Sequence, residues 1–371
     1  MNAGKISIRV ALILALLSIL FSAVQPALAD GPTPVRFAFF YKPPTNADVT
    51  TLAQTHDVFI FTRGDEELRD QLLASGVQGP VLQYLRFEAI MNPGSCTAKP
   101  WDNQVAYKPG DFCRISRYHP DWFLLDSNGK RIVVDGKFYL MDPGNPGWRQ
   151  FWLQRAKEMQ QKFGWRGVFL DNVEATLGKH RRAGRTLKKY PTDSSFQIAV
   201  RGFLKYLYSN YFQPQNRPLF ANIIYLSNMN INVWFSYLQY LDGAMQEGWA
   251  VDWDSGYLKE IGWNNHMILA ERTQALGKFA ILVSQGKQSA TERQQFAYAS
   301  YLLIASGGAS FRYGNDQAYD QLWWYPNYSL KIGTPLGARY QVGSTWRRDF
   351  SNGYVVVDPN AHTAQIVVNG P

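Results

Sequence analysis

Residues 166–174 read RGVFLDNVE, and this stretch decides the fold. Gly167, Val168, Phe169 and Leu170 form a short apolar run that closes on a carboxylate, Asp171. A run of this length between polar residues is a strand buried on both faces. Residues 243–247, GAMQE, repeat the design: a glycine, a bulky residue two positions on, and a carboxylate, Glu247, two further on. Side chains alternate along a strand, so Gly167, Phe169 and Asp171 share one face, as do Gly243, Met245 and Glu247.

Working outward, further strands are predicted at residues 35–41, 57–61, 80–87, 218–222, 279–284 and 309–313. With 166–171 and 242–247 they make eight. Helical stretches separate them at 46–55, 65–74, 146–163, 193–212, 230–240 and 255–276. Another helix runs to about residue 306, with Ser289 and Glu292 as its capping box, and a last one covers 319–330. The helix at 146–163 carries complete end signals: Asn145 as cap, Pro146 at the first position and Gly164 past the end. Eight strands alternating with helices predict an α/β fold of the (β/α)8 TIM-barrel type.

The barrel is expected over residues 30–335. A long insertion, 88–144, follows the third strand. It holds two hairpin signals, Asn128-Gly129 and Asp135-Gly136. It also holds the two cysteines of the chain, Cys96 and Cys113, expected to pair as a disulfide in an oxidising compartment. Residues 336–371 form a small β-appendage, with strands at 355–357 and 365–368 around a turn at Pro359-Asn360. Residues 1–29 read as a secretory signal peptide: Lys5 and Arg9, an apolar run at 10–21, then Ala27-Leu28-Ala29. That run is shorter than the ~20 residues of a spanning helix, so no membrane span is expected after cleavage. The protein is then secreted or periplasmic. The formal net charge of +9 is spread along the chain.

Active sites of this fold lie at the carboxyl ends of the strands. The fourth and sixth strands have the same parity, and alternate strands supply one layer of inward side chains. Asp171 and Glu247 are therefore expected to face one space at the mouth. Two facing carboxylates suit glycosidic cleavage, where one attacks or activates water and the other protonates the leaving oxygen. Against this, Asp171 could cap a helix and Glu247 could pair with a loop cation. Glu174 is a third acid, placed to orient its own loop. Asp252 and Asp254 read as solvated or substrate-positioning. Aromatic residues crowd the loops after strands: Tyr41, Trp249 and Trp253, with Trp323, Trp324 and Tyr325, and Trp101 and Trp122 in the insertion. Flat rings of this kind stack on sugar C–H faces. Arg86, Glu88, Asn222 and Arg312 also close strands, where they hydrogen-bond sugar hydroxyls or pair among themselves. The expected partner is a carbohydrate.

Other chemistries find no support. The five histidines are scattered, without H-x-H or H-E-x-x-H, so no metal is expected. There is no phosphate-cradling glycine loop and no G-x-S-x-G elbow, and no cofactor is expected. The basic residues at 179–185 read as a solvated loop without a nucleic-acid motif, so no nucleic-acid partner is expected.

Three stretches carry a resemblance. Residues 166–174 resemble the fourth strand of barrel glycoside hydrolases. Residues 122–152 resemble them too, with Asp142-Pro143 and Asn145-Pro146-Gly147-Trp148-Arg149 ahead of the third helix. The tail at 347–358, RRDFSNGYVVVD, is similar to strands that follow such barrels. Together they resemble hypothetical glycosyl hydrolase family 15, and more distantly α-galactosidase-like and endo-galactosaminidase barrels. The resemblance implies a glycoside hydrolase with Asp171 as nucleophile and Glu247 as acid/base. α-Galactosidases carry Asp where Glu247 stands. A retaining mechanism is expected, with the carboxyls about 5–6 Å apart. Two alternatives stay open: a non-catalytic carbohydrate-binding barrel, and a metal-assisted hydrolase of another class.

Overall fold

The structure, a computed structural model, describes residues 35–253 and 256–369. The expected signal peptide, and Asp254, lie outside the described residues. The first half runs β1 (Ala38–Phe40), α1 (Val49–Thr55), β2 (Val58–Phe61), α2 (Glu66–Ala74) and β3 (Val81–Arg86). The insertion follows with β4 (Ala89–Met91), α3 (Asp111–Tyr118), β5 (Val133–Val134) and β6 (Phe138–Leu140). Then come α4 (Pro146–Phe163), β7 (Gly167–Glu174), α5 (Gly178–Arg182), α6 (Asp193–Leu207), β8 (Leu219–Ile224) and α7 (Asn232–Leu238). The barrel ends with β9 (Gly243–Gln246), α8 (Glu260–Ala275), β10 (Phe279–Gln285), α9 (Thr291–Ile304) and β11 (Ala309–Gly314). Four strands form the tail: β12 (Tyr340–Val342), β13 (Thr345–Phe350), β14 (Gly353–Asp358) and β15 (Thr363–Val368).

Eight parallel strands run in the order β1-β2-β3-β7-β8-β9-β10-β11. Phe37 pairs with Phe311, and Phe311 N donates to Arg36 O at 2.8 Å, which brings the first strand back to the last. The fold is a (β/α)8 barrel. Its interior is packed by Phe40, Ile60, Leu82, Phe169, Phe220, Met245 and their neighbours. Val168, Leu170 and Ala244 point outward into the helical layer. The alternation read from the sequence therefore holds in both key strands, with Phe169 and Met245 inside. Two glycines permit the close packing below them. A Cβ on Gly167 would lie 2.6 Å from Leu82 Cδ2, and one on Gly243 would lie 2.6 Å from Phe279 O.

α4 has the ends its sequence predicts. Asn145 accepts from Trp148 N, Pro146 opens the helix and Gly164 closes it at φ +76°. In the insertion β4, β6 and β5 make a small antiparallel sheet. Asp135 and Gly136 both take positive φ in the three-residue loop, 135–137, that joins β5 to β6 as a hairpin. Cys96 and Cys113 are disulfide-bonded, tying the preceding loop to α3. The tail is an antiparallel meander from β12 to β15. Phe350, Val355 and Val357 share a core with α9, and Arg348 donates to the carbonyls of Leu302 and Ala305. Among the described residues no helix is long and apolar enough to cross a membrane.

Two expectations fail. Residues 319–330 are not a helix but an irregular segment with one 3-10 turn, Pro326–Ser329. Pro326 lacks the N–H a helix interior needs, and Tyr319 and Gln321 give their carbonyls to Arg312 instead. The capping box of Ser289 and Glu292 does not form; Ala290 occupies the cap without a side-chain bond. A capping box does form at Thr192 and Ser195. The helix expected at 193–212 is present over that span, as α6 to Leu207 and then a π turn, Tyr208–Phe212.

Candidate active site

Asp171 and Asn222 lie in the carboxyl-terminal halves of β7 and β8, and Glu247 directly follows β9; the three strands are neighbours in the barrel. Asn222 lies two residues beyond the inward Phe220, so it shares the inward face. Its amide nitrogen Nδ2 is 3.1 Å from Asp171 Oδ1 and 2.7 Å from Glu247 Oε2. One nitrogen touching both acids limits these two oxygens to a separation of about 6 Å at most. Asn222 is itself buried.

Three tyrosines form the floor. Tyr84 OH donates to Asp171 Oδ2 at 2.5 Å, and Tyr319 OH donates to Glu247 Oε1 at 2.7 Å. Tyr41 lies between them, with ring centroids 5.1 Å from Tyr84 and 5.3 Å from Tyr319. It takes φ +78°, a conformation that ends β1 and turns its ring inward. Burial and the nearby carboxylates raise all three phenols well above their ordinary value, so they remain donors. Asn172 Nδ2 adds a third donor to Asp171, at 3.0 Å. Burial, and then the charge of Asp171, raise Glu247 to about 7. Its bonds from Tyr319 and Asn222 act in the opposite direction.

A register shift between Leu170 and Val173 separates the acids of β7. Asn172 sits at φ +60° within it. Such a bulge re-aims the side chains that follow. Asp171 therefore meets Tyr84 and Asn222, while Glu174 faces the loop. Glu174 Oε2 is 2.9 Å from His180 Nε2, and Oε1 is 3.7 Å from Lys179 Nζ. Glu88 pairs with Arg86, whose Nε and second terminal nitrogen reach the same oxygen at 2.8 and 2.7 Å. Burial raises Glu88 to about 7 against the pull of Arg86 and Lys179. The Arg86 guanidinium also lies 3.8 Å from the Phe138 ring centroid, linking the barrel to its insertion. Glu88 is thus taken up by Arg86, and Glu174 by His180 and Lys179.

Two of the expected sugar contacts are corrected. Trp249 is fully buried in the core beneath α8 and donates its Nε1 to His266 O at 3.1 Å. The backbone turns after Glu247, so Trp249 points inward and Trp253 outward; only Trp253 is exposed. Arg312 is buried, and its guanidinium bonds the carbonyls of Phe40, Tyr319 and Gln321. It holds the Tyr319 segment in place and offers no free donor face to a sugar. Of the other aromatics, Trp122 is buried against His119 and Tyr325 against its own segment. Trp324 packs on Phe37, at the start of β1 and away from the mouth. Trp101 is exposed on the insertion beneath Lys137.

The structure adds residues that sequence reasoning missed. Tyr84 was within reach, since it alternates with Arg86 along the third strand. Tyr319 carried no signal, because it lies on an irregular segment that read as helix. Gln285, which donates to Tyr319, was equally hidden. An open groove of about 1100 Å³, counting the solvent at its mouth, leads away from Glu247. Asn172, Lys179, Arg182, Tyr225, Asp252 and Trp253 line it. Among the described residues no group of three or more His, Cys, Asp or Glu side chains could hold a metal ion.

A parallel (β/α)8 barrel with two wired carboxylates at its carboxyl end has the form of a glycoside hydrolase, and family membership supplies what fold alone cannot. The chain belongs to hypothetical glycosyl hydrolase family 15, whose model matches residues 81–354. It is a glycoside hydrolase. Among solved structures it is similar to the glycoside hydrolase domain of PelA from Pseudomonas aeruginosa, at 15% identity and a TM-score of 0.51, over 79% of this chain and 98% of that one. It is also similar to a dextranase of Flavobacterium johnsoniae, at 10% identity and a TM-score of 0.50, over 91% of this chain and 51% of that one. At these identities the likeness is one of fold. No curated protein matches the chain in sequence.

Proposed function

We propose that the protein is a retaining glycoside hydrolase acting on a polysaccharide or glycan, with Asp171 as nucleophile and Glu247 as acid/base. The observation that carries this reading is the single Asn222 nitrogen bonded to both acids. An oxygen of each acid within about 6 Å of the other supports the ~5–5.5 Å spacing of a retaining pair. Every partner of Asp171 is a donor, which suits an acceptor carboxylate. Glu247, raised to about 7, can hold a proton near neutral pH, as a general acid must.

In the first step Glu247 gives its proton to the glycosidic oxygen as the C–O bond breaks. An Asp171 oxygen bonds the anomeric carbon, forming a glycosyl ester. In the second step the Glu247 carboxylate takes a proton from water, whose oxygen attacks the same carbon and expels Asp171. The product keeps its anomeric configuration after two inversions. The Cys96–Cys113 disulfide supports placing this enzyme in an oxidising compartment, outside the cytoplasm, as does the signal-like sequence of residues 1–29. A purely binding barrel would have no use for a raised acid joined through one amide to a second carboxyl group.

The test is hydrolysis of a panel of α- and β-linked glycans by the wild type, Asp171→Asn and Glu247→Gln, with folding checked for each. Both variants are expected to lose at least about a thousandfold in kcat. Proton NMR of the first-formed product is expected to show the anomer of the substrate. The opposite anomer, or a variant at full activity, would refute the assignment.

A further inference from the structure

The basic stretch after β7 has no part in the mechanism above, yet two of its cations face the groove. Arg181 is tied to Asp193 at 2.8 Å, and Lys189 to Asp142 at 2.6 Å. Lys179 and Arg182 line the groove that opens from Glu247. Lys179 Nζ lies 3.7 Å from Glu174 and 4.0 Å from Glu88, at the limit of ion pairing and outside hydrogen-bond range. Each of those acids has a closer partner, His180 at 2.9 Å and Arg86 at 2.7 Å. Lys179 thus sits near both acids without a hydrogen bond to either, and its side chain is partly exposed. Arg182 is exposed, and its guanidinium lies 5.3 Å from the Tyr225 ring centroid. Among the described residues no carboxylate lies within ion-pair distance of it.

We propose that the substrate carries anionic groups, carboxylate or sulfate, and that Lys179 and Arg182 receive them beside the scissile bond. The proposal rests on the glycosidase reading of Asp171 and Glu247. A planar guanidinium presents paired N–H donors whose spacing matches a carboxylate or a sulfate. The groove is polarised by element. Both cations come from the segment after β7, whereas Trp253 and the exposed Asp252 come from the segment after β9. A sugar ring stacked on Trp253 can direct its acidic substituent to the β7 side, away from Asp252. The hydroxyls of a neutral glycan can accept from either cation, but an acidic substituent adds the stronger charge-assisted bond.

The test uses the full chain as Asp171→Asn, so that binding is read without turnover. An array presents each uronate-bearing oligosaccharide beside its carboxyl-reduced form, and each sulfated one beside its desulfated form. The acidic member of a pair is expected to bind about tenfold tighter or more, and less tightly as salt is raised. Binding confined to uronate pairs, or to sulfate pairs, names the source of the charge. Arg182→Gln in the same background is expected to bring the preference close to one, and Arg182→Lys to restore part of it. Equal binding of acidic and neutral members, no binding of any acidic glycan, or a preference intact in Arg182→Gln overturns the proposal. Wild-type hydrolysis on the same pairs separates the two readings. Acidic preference without hydrolysis overturns the glycosidase assignment alone, and hydrolysis without acidic preference overturns the anionic substrate alone.

Discussion

Tyr319→Phe removes one oxygen atom from the site and leaves the ring in place. That oxygen donates to Glu247 Oε1 at 2.7 Å, and the bond favours the ionised acid. A hydrogen bond to a charged group contributes about 1.5–3 kcal/mol. One pKa unit corresponds to about 1.4 kcal/mol, so the acid should rise by about 1–2 units. Glu247 starts at about 7. The basic limb of the kcat/KM profile, which reports the proton donor of the free enzyme, should then move to about pH 8–9. The plateau should change less than the limb, because Asp171 keeps Tyr84, Asn172 and Asn222. The assay is kcat/KM against pH on a glycan that the wild type hydrolyses, with near-ultraviolet circular dichroism to verify packing. A limb that stays where the wild type has it, in a folded variant, would show that the acid bonded to Tyr319 is not the proton donor.

Other outcomes follow from the same geometry. Glu247 binds its proton more tightly folded than unfolded, so stability falls as pH rises from about 4.5 to about 7. Glu247→Gln cannot ionise and should unfold at a higher temperature than wild type at pH 8, by on the order of 2–3 kcal/mol, with the difference gone near pH 4. Melts that differ equally at both pH values would contradict the raised acid. Trp253→Ala should raise KM several-fold with kcat little changed, whereas Trp249→Ala should cost about 3–5 kcal/mol in urea unfolding. The reverse pattern would mean that the two rings exchange roles. Replacing Cys96 and Cys113 by serine should lower stability by up to about 3 kcal/mol and leave kcat unchanged, as read by denaturant titration and turnover.

Much of the fold is written locally. The cap, proline and glycine around α4 each act through the backbone of adjacent residues, so they are readable without any partner. The run from Gly167 to Leu170 and the pattern from Gly243 to Glu247 state their faces by alternation alone, and Phe169 and Met245 do meet inside the barrel. Tyr319 and Trp249 are different. Tyr319 reaches Glu247 across 72 residues, by way of an irregular segment that Arg312 holds through its carbonyls. Trp249 and Trp253 have the same aromatic character, and only the turn of the chain after Glu247 decides which is core and which is exposed.

The sequence by itself determined the barrel and the two acid-bearing strands, because these depend on periodicity and short-range backbone chemistry, and it left the two cysteines only each other as partners. Tertiary structure alone decided that Asn222 bridges the acids and that the bulge at Asn172 sends Glu174 to His180 and not to Asp171. It also decided that Glu247 is raised to about 7. The reason is that hydrogen-bond wiring and desolvation depend on which distant strand ends share one dry space. No local pattern encodes that until the barrel has closed.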